Sequence, residues 1–205
     1  MKRSMLTTAI LGILGLSSTF TVLAANDSAA LCAGQFDKPL PTATDPLATV
    51  PMWGYALGGA SGGVCTGTLS SPGPRITVGD GFTGVDITLT NTLPRATSLI
   101  IPGTVKGMAP VFFEGPQGLQ RVHSFDAEAA ANSGTVTYNW NNLKPGSYMY
   151  HSGTHPQVQV QMGLFGALTD DHVAGQAYDD VSTAYTQEIV LFYYEIDRAI
   201  HEGVA

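Results

Sequence analysis

Two stretches of the chain alternate strictly between apolar and polar residues. Residues 85–90 read Val-Asp-Ile-Thr-Leu-Thr, and residues 135–140 read Thr-Val-Thr-Tyr-Asn-Trp. A period of two residues places every second side chain on the same face, as in a β-strand that buries one of its faces. Both stretches are therefore predicted to be half-buried strands.

Further strand signals follow at short intervals, and turn-forming residues separate them. A Gly/Ser-rich stretch at residues 58–73 and a Pro-Gly pair at residues 145–146 are predicted to be loops. Only residues 126–131 and the last few residues have a helical pattern. Seven or more short strands joined by turns predict an all-β sandwich. The remaining predicted strands are residues 52–57, 76–78, 99–101, 148–151, 158–162 and 164–168.

The composition agrees with a folded, acidic domain. Hydrophobic residues make up 44% of the 205 residues and charged residues only 12%, which argues against disorder. The formal net charge of −7 argues against nucleic acid as a partner, because such proteins present a basic face.

The N-terminus has the pattern of a secretory signal. Lys2 and Arg3 precede an apolar stretch, and residues 22–24 read Val-Leu-Ala, a small-x-small cleavage pattern. We expect residues 1–24 to be removed and the mature protein to be exported, periplasmic or secreted, with no membrane span left. The alternative is a membrane anchor, which the short and Ser/Thr-interrupted stretch favours less.

The chain has only two cysteines, Cys32 and Cys65. An exported protein meets an oxidising compartment, so a Cys32–Cys65 disulfide is predicted. The alternative, in which one of them is a metal thiolate, is weaker because neither has a His or Met at copper-site spacing.

Three ordered stretches resemble the N-terminal, plastocyanin-like domain of multicopper oxidases. Residues 142–155 read Asn-Leu-Lys-Pro-Gly-Ser-Tyr-Met-Tyr-His-Ser-Gly-Thr-His, and Met-Gly-Leu-Phe-Gly-Ala-Leu follows at residues 162–168. Residues 72–94 and 122–140 are similar to earlier strands of that domain. The resemblance implies a cupredoxin-like Greek-key β-sandwich at residues 51–170, after an N-terminal arm at residues 25–50.

The same resemblance implies copper as the cofactor, but it also reveals missing ligands. The family holds a three-copper cluster with His-x-His pairs, and the stretch that matches the first pair reads Ser-Leu-Ile-Ile-Pro-Gly at residues 98–103. In the second pair His151 matches the first histidine, Gly153 replaces the second, and His155 follows two residues later. The cysteine motif of the blue copper is absent from the sequence.

His151 and His155 are the predicted metal ligands, and His123 is a weaker third candidate. Imidazole suits copper, and two histidines four residues apart in a short loop can converge on one ion. The alternative is a tight turn in which His155 bonds only to backbone, with His123 as a surface or packing residue.

Residues 171–205 are predicted to be a linker and a strand. Residues 188–197 resemble the strand that opens the next cupredoxin domain in the family, so the expected partners are a second such domain, another copy of this chain, or a strand of this domain. Three interpretations remain open: an exported copper-associated domain that takes part in oxidation if further domains complete it, a non-enzymatic exported module for copper holding or protein contact, or a truncated fragment of a longer oxidase. The sequence leaves enzymatic activity undecided.

Overall fold

The computed structural model describes residues 25–205, and the predicted signal segment lies outside the described residues. Most of the ordered elements are strands, and the two helices are short. The strands are β1 (Asn26–Pro39), β2 (Thr49–Leu57), β3 (Ala60–Ser61), β4 (Val64–Cys65), β5 (Ile76–Val78), β6 (Gly84–Asn91), β7 (Val111–Glu114), β8 (Gln120–Ser124), β9 (Gly134–Asn141), β10 (Gly146–His151) and β11 (Phe165–Asp170). The helices are α1 (Pro156–Met162) and α2 (Arg198–Val204).

Two sheets form the body of the domain. The first has the order β2-β1-β6-β9, with β1 parallel to β6 and the other pairs antiparallel. The second has the order β10-β11-β5. The two alternating stretches of the sequence are the paired strands β6 and β9, in which Ile87 lies opposite Tyr138. Both predicted strands are confirmed.

The core is shared by the two sheets. Ile87 and Trp140 of the first sheet and Tyr150 and Leu168 of the second belong to the same buried cluster. This arrangement is a cupredoxin-like β-sandwich, as the sequence predicts. Burying the alternating apolar face of each strand supplies most of the driving force for folding.

The predicted N-terminal arm contains the longest strand of the described chain. β1 lies between β2 and β6 in the first sheet, and Leu31 and Ala33 are fully buried in it. The predicted disulfide between Cys32 and Cys65 is present and ties β1 to β4. The segment is therefore part of the sandwich, which begins before residue 51.

The predicted strand at residues 158–162 is wrong, because this segment is helix α1. Pro156 stands at the first helical position, where its missing N–H costs no hydrogen bond, and Gly163 ends the helix with a positive φ of 120°. The buried residues Gln159 and Met162 lie three positions apart, as on one helix face. The alternation of Gln with Val and Met in the sequence is the pattern that predicts a strand here.

Three other segments also differ from prediction. Residues 99–101 form no strand, because only Ile100 pairs there, in an isolated bridge with His151. Residues 126–131 are irregular and not a helix, because the backbone of Ala129 pairs with Thr97 through hydrogen bonds of 2.8 Å and 3.1 Å. Residues 188–197 form no strand, although the chain after them is helical, as predicted, in α2. Among the helices of residues 25–205, none is long and apolar enough to span a membrane.

Candidate metal centre

His151 lies at the end of β10, beside the stretch that replaces the first histidine pair. Its backbone N–H donates to the carbonyl of Ile100 at 3.0 Å, and the N–H of Ile100 donates back at 2.9 Å. Its ring Nδ1 lies 2.8 Å from the carbonyl of Ser152 and donates to it. The structure therefore brings together the two stretches that hold histidine pairs in the related domains, but Ile100 stands where a ligand is expected.

Gly153 occupies a site that is already full. A Cβ atom at this buried position would lie 2.9 Å from Cγ2 of Ile100 and 2.9 Å from Oγ of Ser98. Contacts this short require the neighbours to move. The second histidine of the pair is thus missing from the sequence, and its space is filled by other side chains.

His155 is displaced from this place by the residues Gly153 and Thr154. It adopts a left-handed backbone conformation immediately before α1, and its N–H donates to the carbonyl of His123 at 2.7 Å. The rings of His155 and His123 are nearly parallel, with centroids 5.1 Å apart. The structure therefore joins His155 to the weaker candidate, His123, whereas the ring of His151 contacts backbone.

Glu128 is a member of this group that the sequence analysis missed. Its Oε2 lies 3.1 Å from Nε2 of His123, and its Oε1 accepts a hydrogen bond from Oγ1 of Thr154 at 2.9 Å. Glu128 lies in the segment for which the sequence predicts a helix, and that prediction does not place its side chain beside His123. Its short separation from His123 in the sequence was the only available signal.

Comparison with known proteins identifies the family. The family model described as multicopper oxidase matches residues 55–171, which is more than half of the chain. The chain belongs to the multicopper oxidase family. No protein of curated function shows significant sequence similarity to it.

Several solved copper proteins have a distant likeness to this chain. A multicopper oxidase from Pseudomonas thermotolerans is 18% identical over 72% of this chain and 30% of its own, with a TM-score of 0.49. A multicopper oxidase from Campylobacter jejuni is 22% identical over 72% and 28%, with a TM-score of 0.44. A copper nitrite reductase from Nitrosomonas europaea is 17% identical over 71% and 41%, with a TM-score of 0.47. The chain spans less than half of each of these proteins.

The three-copper centre of the family does not fit the residues present here. The stretch that matches the first histidine pair reads Ile-Ile-Pro at residues 100–102. In the second pair, Gly153 replaces one histidine and packs against Ile100, so only His151 is left of the four ligands. Within residues 25–205, no group of three or more His, Cys, Asp or Glu side chains is arranged to hold a metal ion. The imidazoles of His123 and His155, next to the Glu128 carboxylate, have the donor chemistry for a single copper ion.

Buried hydroxyl groups fill the space near Gly153. Oγ of Ser124 donates to Oγ of Ser98 at 2.8 Å, and Oγ1 of Thr154 lies 3.0 Å and 3.1 Å from these two oxygens. Oγ of Ser152 donates to Oε1 of Gln159 at 2.6 Å. Because these groups satisfy one another, the network fixes the loop that carries His155 without any metal.

An apolar cavity of about 230 Å³ adjoins the replaced first pair. Ile100 and Pro102 form part of its wall, and Trp140 also lines it. The ammonium of half-buried Lys106 pairs there with the carboxylate of buried Asp126. Burial, with a smaller contribution from the charge of Asp126, raises the pKa of nearby Tyr138 well above its ordinary value. The lining of this cavity is thus mainly apolar and contains no histidine that could bind copper.

The other two histidines have structural contacts. Nε2 of His172 lies 3.2 Å from a carboxylate oxygen of Asp179 at the surface. His201 is fully buried on α2, and its Nδ1 lies 3.0 Å from the carbonyl of Pro51 on β2. His201 thus attaches α2 to the first sheet.

Proposed function

We propose that this chain is an exported cupredoxin module that holds one copper ion at His123 and His155 and does not reduce oxygen by itself. The observation that carries the proposal is the approach of the two imidazole rings to 5.1 Å at the surface. His155 is exposed and His123 half-buried, so an ion can reach them from solvent.

The residues around the pair support a role in positioning. The Glu128 carboxylate lies beside Nε2 of His123, and Thr154 holds the other carboxylate oxygen. A carboxylate next to an imidazole fixes the orientation of the ring and raises its basicity as a ligand. Copper bound here would supply a redox-active ion near the surface. Oxidation of a substrate by oxygen would need ligands from further domains.

Copper titration of the mature protein tests this proposal. We expect one ion per chain in the wild type and a loss of binding in His155→Ala and in His123→Ala. His172→Ala is the matched control, because His172 is also partly exposed and beside a carboxylate, and it should bind copper as the wild type does.

His151→Ala separates this proposal from the pairing that the sequence suggests. If His123 and His155 hold the ion, His151→Ala keeps it. Loss of copper in His151→Ala together with retention in His123→Ala would contradict the proposal and favour the His151–His155 pair.

Export is supported by the disulfide, since such bonds persist in oxidising compartments. Intact-mass analysis of the protein recovered from outside the cytoplasm should give a mature chain that begins near Ala25. A retained Met1 would contradict this part of the proposal.

A second candidate function is contact with a further cupredoxin domain, and residues 188–197 favour it. Side chains in this extended segment alternate: Ile189, Leu191 and Tyr193 are 77%, 63% and 90% exposed, whereas Phe192 packs against Phe165. An extended segment with an apolar outer face is suited to pairing with a strand of another domain. Charged substitutions at Leu191 and Tyr193 should weaken association with such a domain, and unchanged association would exclude this surface.

A further inference from the structure

A cleft of about 350 Å³ lies between α1, α2 and β2. Trp53, Val158 and Val204 form its apolar walls, and Arg95 and His155 lie at its edge. No aspartate or glutamate lines it. Although the chain has a net charge of −7, the lining of this cleft contains the basic residue Arg95 and no acidic side chain.

Two donor groups that line this cleft, on Arg95 and Trp53, lack partners among residues 25–205. The guanidinium of exposed Arg95 forms no ion pair with a carboxylate of the described residues, the C-terminal carboxylate included. The indole N–H of Trp53 has no acceptor in the part of the chain that the structure describes, although Trp53 is only 1% exposed. A buried donor without a partner costs free energy that a suitable acceptor would recover.

The remaining polar side chain of the cleft is already satisfied. Oε1 of Gln159 accepts from Thr97 at 2.7 Å and from Ser152 at 2.6 Å, and its Nε2 donates to the carbonyl of Ala96 at 2.8 Å. Gln159 therefore forms a fixed floor and offers no competing acceptor. The cleft is therefore suited to a ligand that combines a negatively charged hydrogen-bond acceptor with an apolar body.

We propose that this cleft binds a small organic carboxylate with an aromatic or aliphatic body. The planar fork of Arg95 can hold both carboxylate oxygens, which is the strongest common form of this contact. The body of the ligand would pack on Trp53, Val158 and Val204. This site is separate from the copper proposal except that His155 faces both.

Benzoate is the probe for the test, and calorimetry together with tryptophan fluorescence is the readout. Trp53 lines the cleft, so we expect benzoate to change the fluorescence and to bind with measurable heat. Benzamide has the same shape without the charge and should bind roughly tenfold more weakly or worse, as for loss of a charged hydrogen bond. Equal binding of the two, or equal competition by inorganic phosphate, would overturn the proposal.

Arg95→Gln is the decisive variant, and Arg121→Gln is its matched control. Arg121 is also exposed and lies on β8, outside the cleft. Arg95→Gln should lose benzoate affinity by roughly tenfold or more and Arg121→Gln should retain it. Arg95→Gln should also keep its copper, so failure of this proposal and failure of the copper proposal give different results. Undiminished benzoate binding in Arg95→Gln would overturn the inference.

Discussion

Substitution of Gly153 tests directly whether the place of the missing copper ligand is closed. The backbone of Gly153 needs no positive φ, so alanine is disfavoured only by its methyl group. That methyl group would lie 2.9 Å from the side chains of both Ile100 and Ser98. Overpacking of a filled site costs about 1–3 kcal/mol of unfolding free energy. In a chain of this size each kcal/mol lowers Tm by about 2–4 °C.

Urea denaturation of Gly153→Ala and of Gly107→Ala measures this cost. Gly107 is exposed, and a Cβ there would meet nothing within 4 Å, so its substitution should be nearly neutral. The double variant Ile100→Ala/Gly153→Ala should be more stable than the sum of the single changes predicts, because removing Ile100 side-chain atoms relieves the contact. If Gly153→Ala is as stable as Gly107→Ala, the site is open and the reasoning is wrong.

Three further predictions concern stability. Replacing Cys32 and Cys65 by alanine should cost about 3–4 kcal/mol in denaturant unfolding, from the loop entropy of a bond that spans 33 residues, and an unchanged midpoint would contradict this. Asp126→Ala should cost about 1–3 kcal/mol of unfolding free energy at neutral pH, because it leaves the half-buried Lys106 ammonium without its partner; Asp126→Glu is expected to recover part of the loss. Burial raises the pKa of Tyr138, so folding stability should hold below about pH 10 and fall above it, as unfolded chains ionise their tyrosines first. Circular dichroism and tyrosinate absorbance against pH check this, and stability that rises above pH 10 would refute it.

The strands of the sandwich were predictable where one face is buried. β6 and β9 show the two-residue period because their outer faces carry Asp, Thr and Asn. β1 was missed because its polar and small residues hide the signal, and its place between β2 and β6 depends on pairing across distant parts of the chain. The sequence of helix α1 favours a strand, since its five-residue alternation has the period of a strand, and only Pro156 and Gly163 indicate the helix boundaries.

The candidate site was only partly predictable, because it too depends on contacts between distant parts of the chain. The sequence identified His123, His151 and His155, but spacing alone favoured the pair closest in sequence. The structure places His155 against His123 because Gly153 and Thr154 carry the chain past His151 and into α1. Glu128 joins the site through a contact between side chains, and its position five residues after His123 is the only trace of this contact in the sequence.

Copper content and oxygen uptake of the purified mature protein, measured after loading with copper and removal of loosely held metal, test the account most directly. The account predicts one bound ion per chain, a paramagnetic signal typical of nitrogen ligands, loss of that signal in His155→Ala, and no oxygen consumption with phenols or diamines. Three bound ions, an intense blue absorption band or copper-dependent turnover would contradict it. Three ions require a ligand set that the packing around Ile100 and Gly153 excludes. A blue band requires a cysteine thiolate, whereas Cys32 and Cys65 are joined in a disulfide.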